Sequence, residues 1–292
     1  MGRRERKTKT EMEIPLQTHA LLLILASATA VLGQADARAV IRRAVAADER
    51  NWKAARNYTF SERADLRYLD SQGRVKSQEI RIHDIMLLDG SPYRRLVARD
   101  DRSLPRGEEK KEQEKLARSI AERREETAAQ RAQRLAEYDR RPEWQREAWR
   151  ELPEAFDFRL AREEVWDGHS LYVIDATPRQ GYQPRSRTAK VLAHLQGKLW
   201  VDRQDYHLLK AEVEVVDTIT VGLFLVRVAK GSRAAFEQTL VNDEVWLPRH
   251  VRAFVSARLG LLKVLRIEQE ISYSKCREFQ ANSPIISLMK AR

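Results

Sequence analysis

The chain has 292 residues, 42% of them hydrophobic and 33% charged, with 54 Lys+Arg against 43 Asp+Glu for a formal net charge of +11. That is enough apolar material for one large domain or two small ones, which excludes wholesale disorder. A single cysteine, Cys276, excludes a disulfide framework and any multi-cysteine zinc or iron–sulfur site.

The first elements concern targeting. Arg3, Arg4, Arg6, Lys7 and Lys9 precede an apolar run from Ala20 to Leu32, and small residues follow from Gly33 to Ala37. This three-part pattern is that of a secretory signal peptide. The run of 13 residues is short of the roughly 20 that span a bilayer. A non-cleaved anchor and a start at Met12 are the alternatives, and cleavage fits near Gly33 or after Ala37. No cysteine stands near the cleavage region, which disfavours a lipid-anchored form. Residues 1–37 are therefore read as a signal peptide and 38–292 as one soluble, exported domain, periplasmic in a bacterium with two membranes. Export removes nucleic acid as a partner. The basic excess becomes surface charge, open to transient contact with anionic lipid headgroups.

Ala37 to Arg56 reads as a helix, with Val40, Ile41, Ala44, Val45 and Trp52 on one stripe and Arg42, Arg43, Glu49, Arg50 and Lys53 mostly off it. The period then falls to 2. Tyr58 to Tyr68, Val75 to Ile82, Ile85 to Leu88 and Tyr93 to Ala98 read as strands, joined by turns at Ser71–Gly73 and Asp89–Pro92. Arg106 to Arg150 is dense in Glu, Arg, Lys, Gln and Ala and reads as one or two exposed helices inserted in the β domain. It is a solvated face or a partner-docking surface, with Trp144 and Trp149 pinning its second half.

Strands resume as Phe158 to Trp166, Ser170 to Ala176, Gly197 to Asp202, Leu208 to Asp217, Thr218 to Ala229, Arg233 to Val241, Glu244 to Ser256 and Lys263 to Tyr273. Thr177 to Arg187 reads as a loop. About eleven strands joined by short turns imply a largely antiparallel meander in a mainly β, α+β fold. The N-terminal helix is the candidate cover for its apolar face. Thr220 to Val228 is apolar on both faces at its centre and reads as a central strand, with Gly222 marking a bend or close approach. On Val251 to Leu259 the odd-numbered positions form an apolar face and Arg252, Phe254, Ser256 and Arg258 the other. Val221, Leu223 and Leu225, with Val251, Ala253 and Val255, are the ligand-cavity candidates. Ordinary packing under a helix is the alternative reading of the same small residues.

The run Gly197, Lys198, Leu199, Trp200, Val201, Asp202, followed by Asp205, Leu208 and Glu212, resembles the strand–turn–strand of LolA-like lipoprotein-sorting proteins. Asp89 to Tyr93, Glu164 to Gly168, Val245 to Pro248 and Tyr273 to Phe279 add to the resemblance, which spans Tyr58 to Phe279. It implies a strongly curved antiparallel sheet, or half-barrel, with an apolar concave face covered by helices. It also implies a periplasmic carrier of lipid or acylated protein, or, as in the RseB and MucB sensor subgroup, a detector of lipoproteins or lipids. The alternative function is an envelope-stress or lipid-sensing interaction protein that docks a partner through the helical insertion. The long charged insertion departs from the carrier pattern, and no individual functional residue is carried over.

No nucleotide-binding glycine motif, nucleophile elbow or His-Glu-x-x-His helix is present. His83, His169, His194, His207 and His250 are too dispersed to suggest a metal site. Glu163–Glu164 and Asp243–Glu244 are neighbours that point to opposite faces of a strand, which is no acid/base couple. The reading is therefore of a non-enzyme with no metal and no cofactor. Cys276 reads as a buried structural thiol, with an exposed reactive one as the alternative. Trp166, Trp200 and Trp246 read as core.

Overall fold

The computed structural model describes residues 36–140, 143–221, 226–260 and 263–279. Helix α1 (Ala37–Ala55) is followed by strands β1 (Tyr58–Leu69), β2 (Val75–Leu88), β3 (Ser91–Arg99) and β4 (Arg102–Ser103). Three helices make the insertion: α2 (Arg106–Glu125), α3 (Ala128–Arg140) and α4 (Glu143–Ala155). Then come β5 (Phe156–Trp166), β6 (His169–Pro178), a short 3₁₀ turn (Ala189–His194), β7 (Leu195–Asp202) and β8 (Leu208–Val215). The chain continues through β9 (Ile219–Val221), β10 (Val226–Val228), β11 (Arg233–Val241), β12 (Val245–Leu259) and β13 (Lys263–Glu278). The signal-peptide reading falls almost wholly outside the described residues.

All strand pairs are antiparallel, in the order β4-β3-β2-β1-β13-β12-β11-β8-β7-β6-β5, and the sheet is curved rather than closed. Turn chemistry fixes much of the register. Asp89–Gly90 joins β2 to β3 and Asp167–Gly168 joins β5 to β6, each with both residues at positive φ (46° and 83°, 51° and 82°). Such two-residue turns match the right-handed twist of paired strands. Val75 to Leu88 forms one strand where the sequence pattern suggests two.

The segment read as one strand from Thr218 to Ala229, central over Thr220 to Val228, instead contributes two short strands off the main path, β10 pairing with β9 and β12. The reason lies in strand length. β11 pairs with β12 only as far as Phe254, so Ala257 to Leu259 of β12 present a free edge that β10 occupies.

The face holding Ile174, Ala176, Leu199 and Ala211 is buried. It is covered by α1, α4 and the 3₁₀ turn, which pack on β5, β6 and β7. Asp36 caps α1 by accepting from Arg38 N at 3.0 Å. Val40, Ile41, Ala44, Val45 and Ala47 are its buried stripe. Asn51 clamps the start of β12, donating to Trp246 O at 2.7 Å and accepting from Trp246 N at 2.8 Å. Arg38 donates to Pro153 O and Phe156 O, tying α1 to the start of β5. Tyr58, Val245 and Leu247 form a core against Ala54, Ala55 and the partly buried Cys276, whose thiol pKa is raised by burial.

The first two helices of the insertion are held by arginines, and α2 buries no residue, whereas Leu152 and Ala155 of α4 join the core. Arg123 donates to Leu88 O and Ser91 O, and Arg134 bonds Ser91 Oγ at 2.6 Å, Asp89 and Glu126. Of the two tryptophans expected to pin it, Trp149 is half-buried and Trp144 lies outside the described side chains.

Candidate functional site: a charged cavity on the curved sheet

Directly paired residues of an antiparallel sheet share a face, and successive residues alternate between faces. The pairings therefore trace two parallel rows across eight strands. One row runs Arg159, Asp175, Lys198 and Glu212 from β5 to β8. It continues through Ala235, Arg252, Glu270 and Asp65 on β11, β12, β13 and β1. The second row, two residues along each strand, includes Gln196, Glu214, Arg233, Phe254, Glu268 and Arg67. Every residue of both rows borders one cavity of about 980 Å³. The cavity thus sits on the face opposite the helix-covered one. The row between, with Gly197, Ala234 and Ala253, borders it through positions whose side chains alternate away.

The sheet curls towards this cavity. Arg249 of β12 reaches Asp167, in the β5–β6 turn, at 3.1 Å. Four strand steps separate β12 from β6, about 19 Å in a flat sheet. Trp166, on the same hairpin, packs against a cluster of Leu171, Val173, Trp200, Leu209 and Trp246. Leu171, Val173 and Trp200 share the parity of Asp175 and Lys198, so an apolar plug fills one end of the concave face and the charged rows occupy the rest. The three tryptophans read as core do pack in this cluster. Gly197 permits the close approach of β7 and β8, since a Cβ there would lie 2.5 Å from Glu212 O.

Ion pairs organise the rows. Lys198 and Arg159 both hold Asp175, and the Lys198 hydrogen bond, reinforced by both cations, lowers that carboxyl's pKa. Asp65, only 3% exposed, accepts from Arg67 at 2.6 Å and from Gln78 at 2.9 Å. His250 lies 2.8 Å from Glu270, and the Arg233 guanidinium sits 5.3 Å over the Phe254 ring. Near the plug, His169 contacts Asp202 at 2.9 Å and Trp246 edge-on. Burial lowers the His207 pKa there, against the pull of Asp205.

Of the sequence-predicted cavity residues, Val251, Ala253 and Val255 lie on the helix-side face of β12, half-buried, and Ala253 borders the cavity from the intervening row. Val251 and Val255 pair with Ile271 and Ile267 of β13, making a half-buried apolar stripe. Val221 ends β9, its side chain outside the described ones, and Leu223 and Leu225 lie outside the described residues. Sequence reasoning missed Asp175, Lys198, Glu214 and Glu268 as cavity residues. The period-2 alternation marks them as one face but does not reveal which strands stand side by side. Among the described residues, no group of three or more His, Cys, Asp or Glu is placed to hold a metal, and no helix is long and apolar enough to cross a membrane.

No protein-family model and no curated protein matches the sequence. Solved structures do align with it. A putative outer membrane lipoprotein-sorting protein domain from Vibrio parahaemolyticus matches at 12% identity, covering 86% of this chain and 98% of that one, with a TM-score of 0.35. A LolA superfamily protein from Nitrosomonas europaea matches at 12% identity, over 82% and 96%, with a TM-score of 0.25. MucB, solved in complex with MucA(peri), matches at 13% identity, over 85% and 100%, with a TM-score of 0.24. Similarity at this level supplies no argument about ligand or partner.

Proposed function

We propose that this chain is an exported binding or carrier protein that holds a lipid or an acylated protein. The observation that carries the reading is the open, curved sheet, which leaves a polar-lined cavity of about 980 Å³ on its concave face and a half-buried apolar stripe on its helix-side face. The half-buried apolar stripe of Val251, Val255, Ile267 and Ile271, on the helix-side face behind the cavity, is the place for an acyl chain. Each methylene removed from water there contributes roughly 0.8 kcal/mol, so a dozen carbons suffice for useful affinity. Release follows from a competing partner or from a shift in the helical cover. The basic n-region, apolar run and small-residue cleavage region support export to the periplasm, with transient membrane contact through the basic surface.

Native mass spectrometry of the protein taken from a periplasmic extract, followed by organic extraction, tests this. An adduct that yields lipid or acylated peptide is the expected result. A bare mass that stays bare after incubation with lipids and lipopeptides sinks the proposal.

A second reading is an envelope sensor that docks a protein partner through the insertion. It is favoured by α2, a helix of 20 residues that buries none of them.

A further inference from the structure

We infer that the cavity accepts an extended polypeptide segment with the pattern basic-x-acidic-x-basic, its two basic side chains meeting Glu214 and Glu268. The inference rests on the reading of the chain as a binding protein, and it needs no acyl chain.

The charge balance of the cavity opposes that of the molecule. The chain carries +11, yet the cavity lining has seven carboxylates against five cations. Those cations are already engaged. Arg159 and Lys198 hold Asp175, Arg67 holds Asp65, Arg252 lies 3.7 Å from Glu237, and Arg233 lies over Phe254. Most of the carboxylates are engaged too. Asp157 takes Arg38 and Arg179, Glu212 takes Lys210, and Glu270 takes His250. Among the described residues, Glu214 has only a 3.5 Å bond from Gln196, and Glu268 has no ion pair or hydrogen bond. Two carboxylates thus face the cavity without an ion pair among the described residues, since their cross-strand neighbours Arg233 and Arg67 are engaged with Phe254 and Asp65.

Their spacing selects a ligand. Glu214, Arg233, Phe254 and Glu268 are consecutive members of one row, on β8, β11, β12 and β13. Three strand steps span about 14 Å, and the curl shortens the chord. An extended chain rises about 3.3 Å per residue and turns alternate side chains to one side. Residues i and i+4 therefore reach the two carboxylates. Residue i+2 falls over Arg233 and Phe254, where an acidic side chain pairs with the guanidinium already stacked there. A single small amine meets one carboxylate and leaves the rest of the row unused.

The test is fluorescence anisotropy of the full-length protein with three labelled peptides. One carries Lys-Ser-Glu-Ser-Lys, one the reversed charges Glu-Ser-Lys-Ser-Glu, and one the same composition with adjacent lysines. The first should bind, with the other two about tenfold weaker. Glu214→Gln and Glu268→Gln should each weaken it about threefold and together about tenfold, with unchanged circular dichroism. Equal binding of all three peptides to the wild-type protein overturns the inference without recourse to any variant. So does a double variant that binds as the wild type does. If phosphatidylethanolamine vesicles bind through the two carboxylates and the peptides do not, the occupant is a headgroup and the inference fails. If acyl ligands bind and no peptide does, the inference fails while the carrier reading stands. If neither binds, both fail.

Discussion

Asp48 lies in α1, where burial, with a smaller push from Glu49, raises its carboxyl pKa to about 6. The unfolded chain ionises this group near 3.8. Between these values the folded state holds a proton that the unfolded state does not, so Asp48's contribution to stability improves as pH falls through 6 and is worst at neutral pH. Asp48→Asn should therefore stabilise the protein by roughly 1 kcal/mol at pH 7.5, with the gain vanishing near pH 4. Thermal unfolding of both proteins at the two pH values checks this, and an equal gain at both would refute it. His83 works in the opposite direction. Burial first, then Arg94 and Arg81, lower its pKa from 6.5 to about 4, so its contribution is lost as pH falls across that window. Comparing a variant with its parent at each pH cancels the His83 effect and isolates that of Asp48.

Elements whose cause is local were legible in the sequence. The stripe of Val40, Ile41, Ala44 and Val45 marks α1, and Asp167–Gly168 marks a two-residue turn. The insertion reads correctly as helical but extends to Ala155, because Pro153 sits inside the last turn of α4 instead of ending it. The 3₁₀ turn Ala189–His194 is too short for a period to show. The place of β9 and β10 is not legible locally, because it depends on how far β11 runs along β12, which is long-range information. The cavity was hidden for the same reason, since Glu214 and Glu268 lie 54 positions apart and meet only through strand order. The insertion also yields a prediction at this scale. Lys110, Lys111 and Arg118 are exposed on α2. Reversing all three to Glu should cost less than about 1 kcal/mol, as surface substitutions do. It should spare any bound ligand mass and, on the sensor reading, remove a partner cross-linked to α2 in the cell envelope. A cross-link that persists undiminished would refute the docking role.

For the whole molecule, the question is what keeps an open sheet of this length curled. A sheet without barrel closure has free edges and no covalent reason to bend. Among the described residues, the concave side is bridged by the Arg249–Asp167 pair, with both side chains more than half exposed, and by the cluster joining Trp166 to Trp200 and Trp246, with His169 edge-on to Trp246. An exposed pair contributes about 0–1 kcal/mol, whereas removing a buried tryptophan costs about 3–5 kcal/mol. Trp246 is 3% exposed and is further fixed by its indole N–H to Asp205 at 3.1 Å and by the Asn51 clamp. The apolar plug, not the ion pair, should therefore hold the curl. Asp167→Asn, which keeps a residue that tolerates the turn's positive φ, should lower unfolding stability by less than about 1 kcal/mol and leave ligand affinity nearly unchanged, whereas Trp246→Ala should lower stability by several times as much. Trp166→Ala separates curvature from global stability, because Trp166 is only partly buried and lies at the sheet edge. On this account it weakens ligand binding more than it weakens the fold. Denaturant titration beside a ligand titration for the three variants decides the matter. If Asp167→Asn abolishes binding while Trp166→Ala leaves it intact, the curl depends on the ion pair.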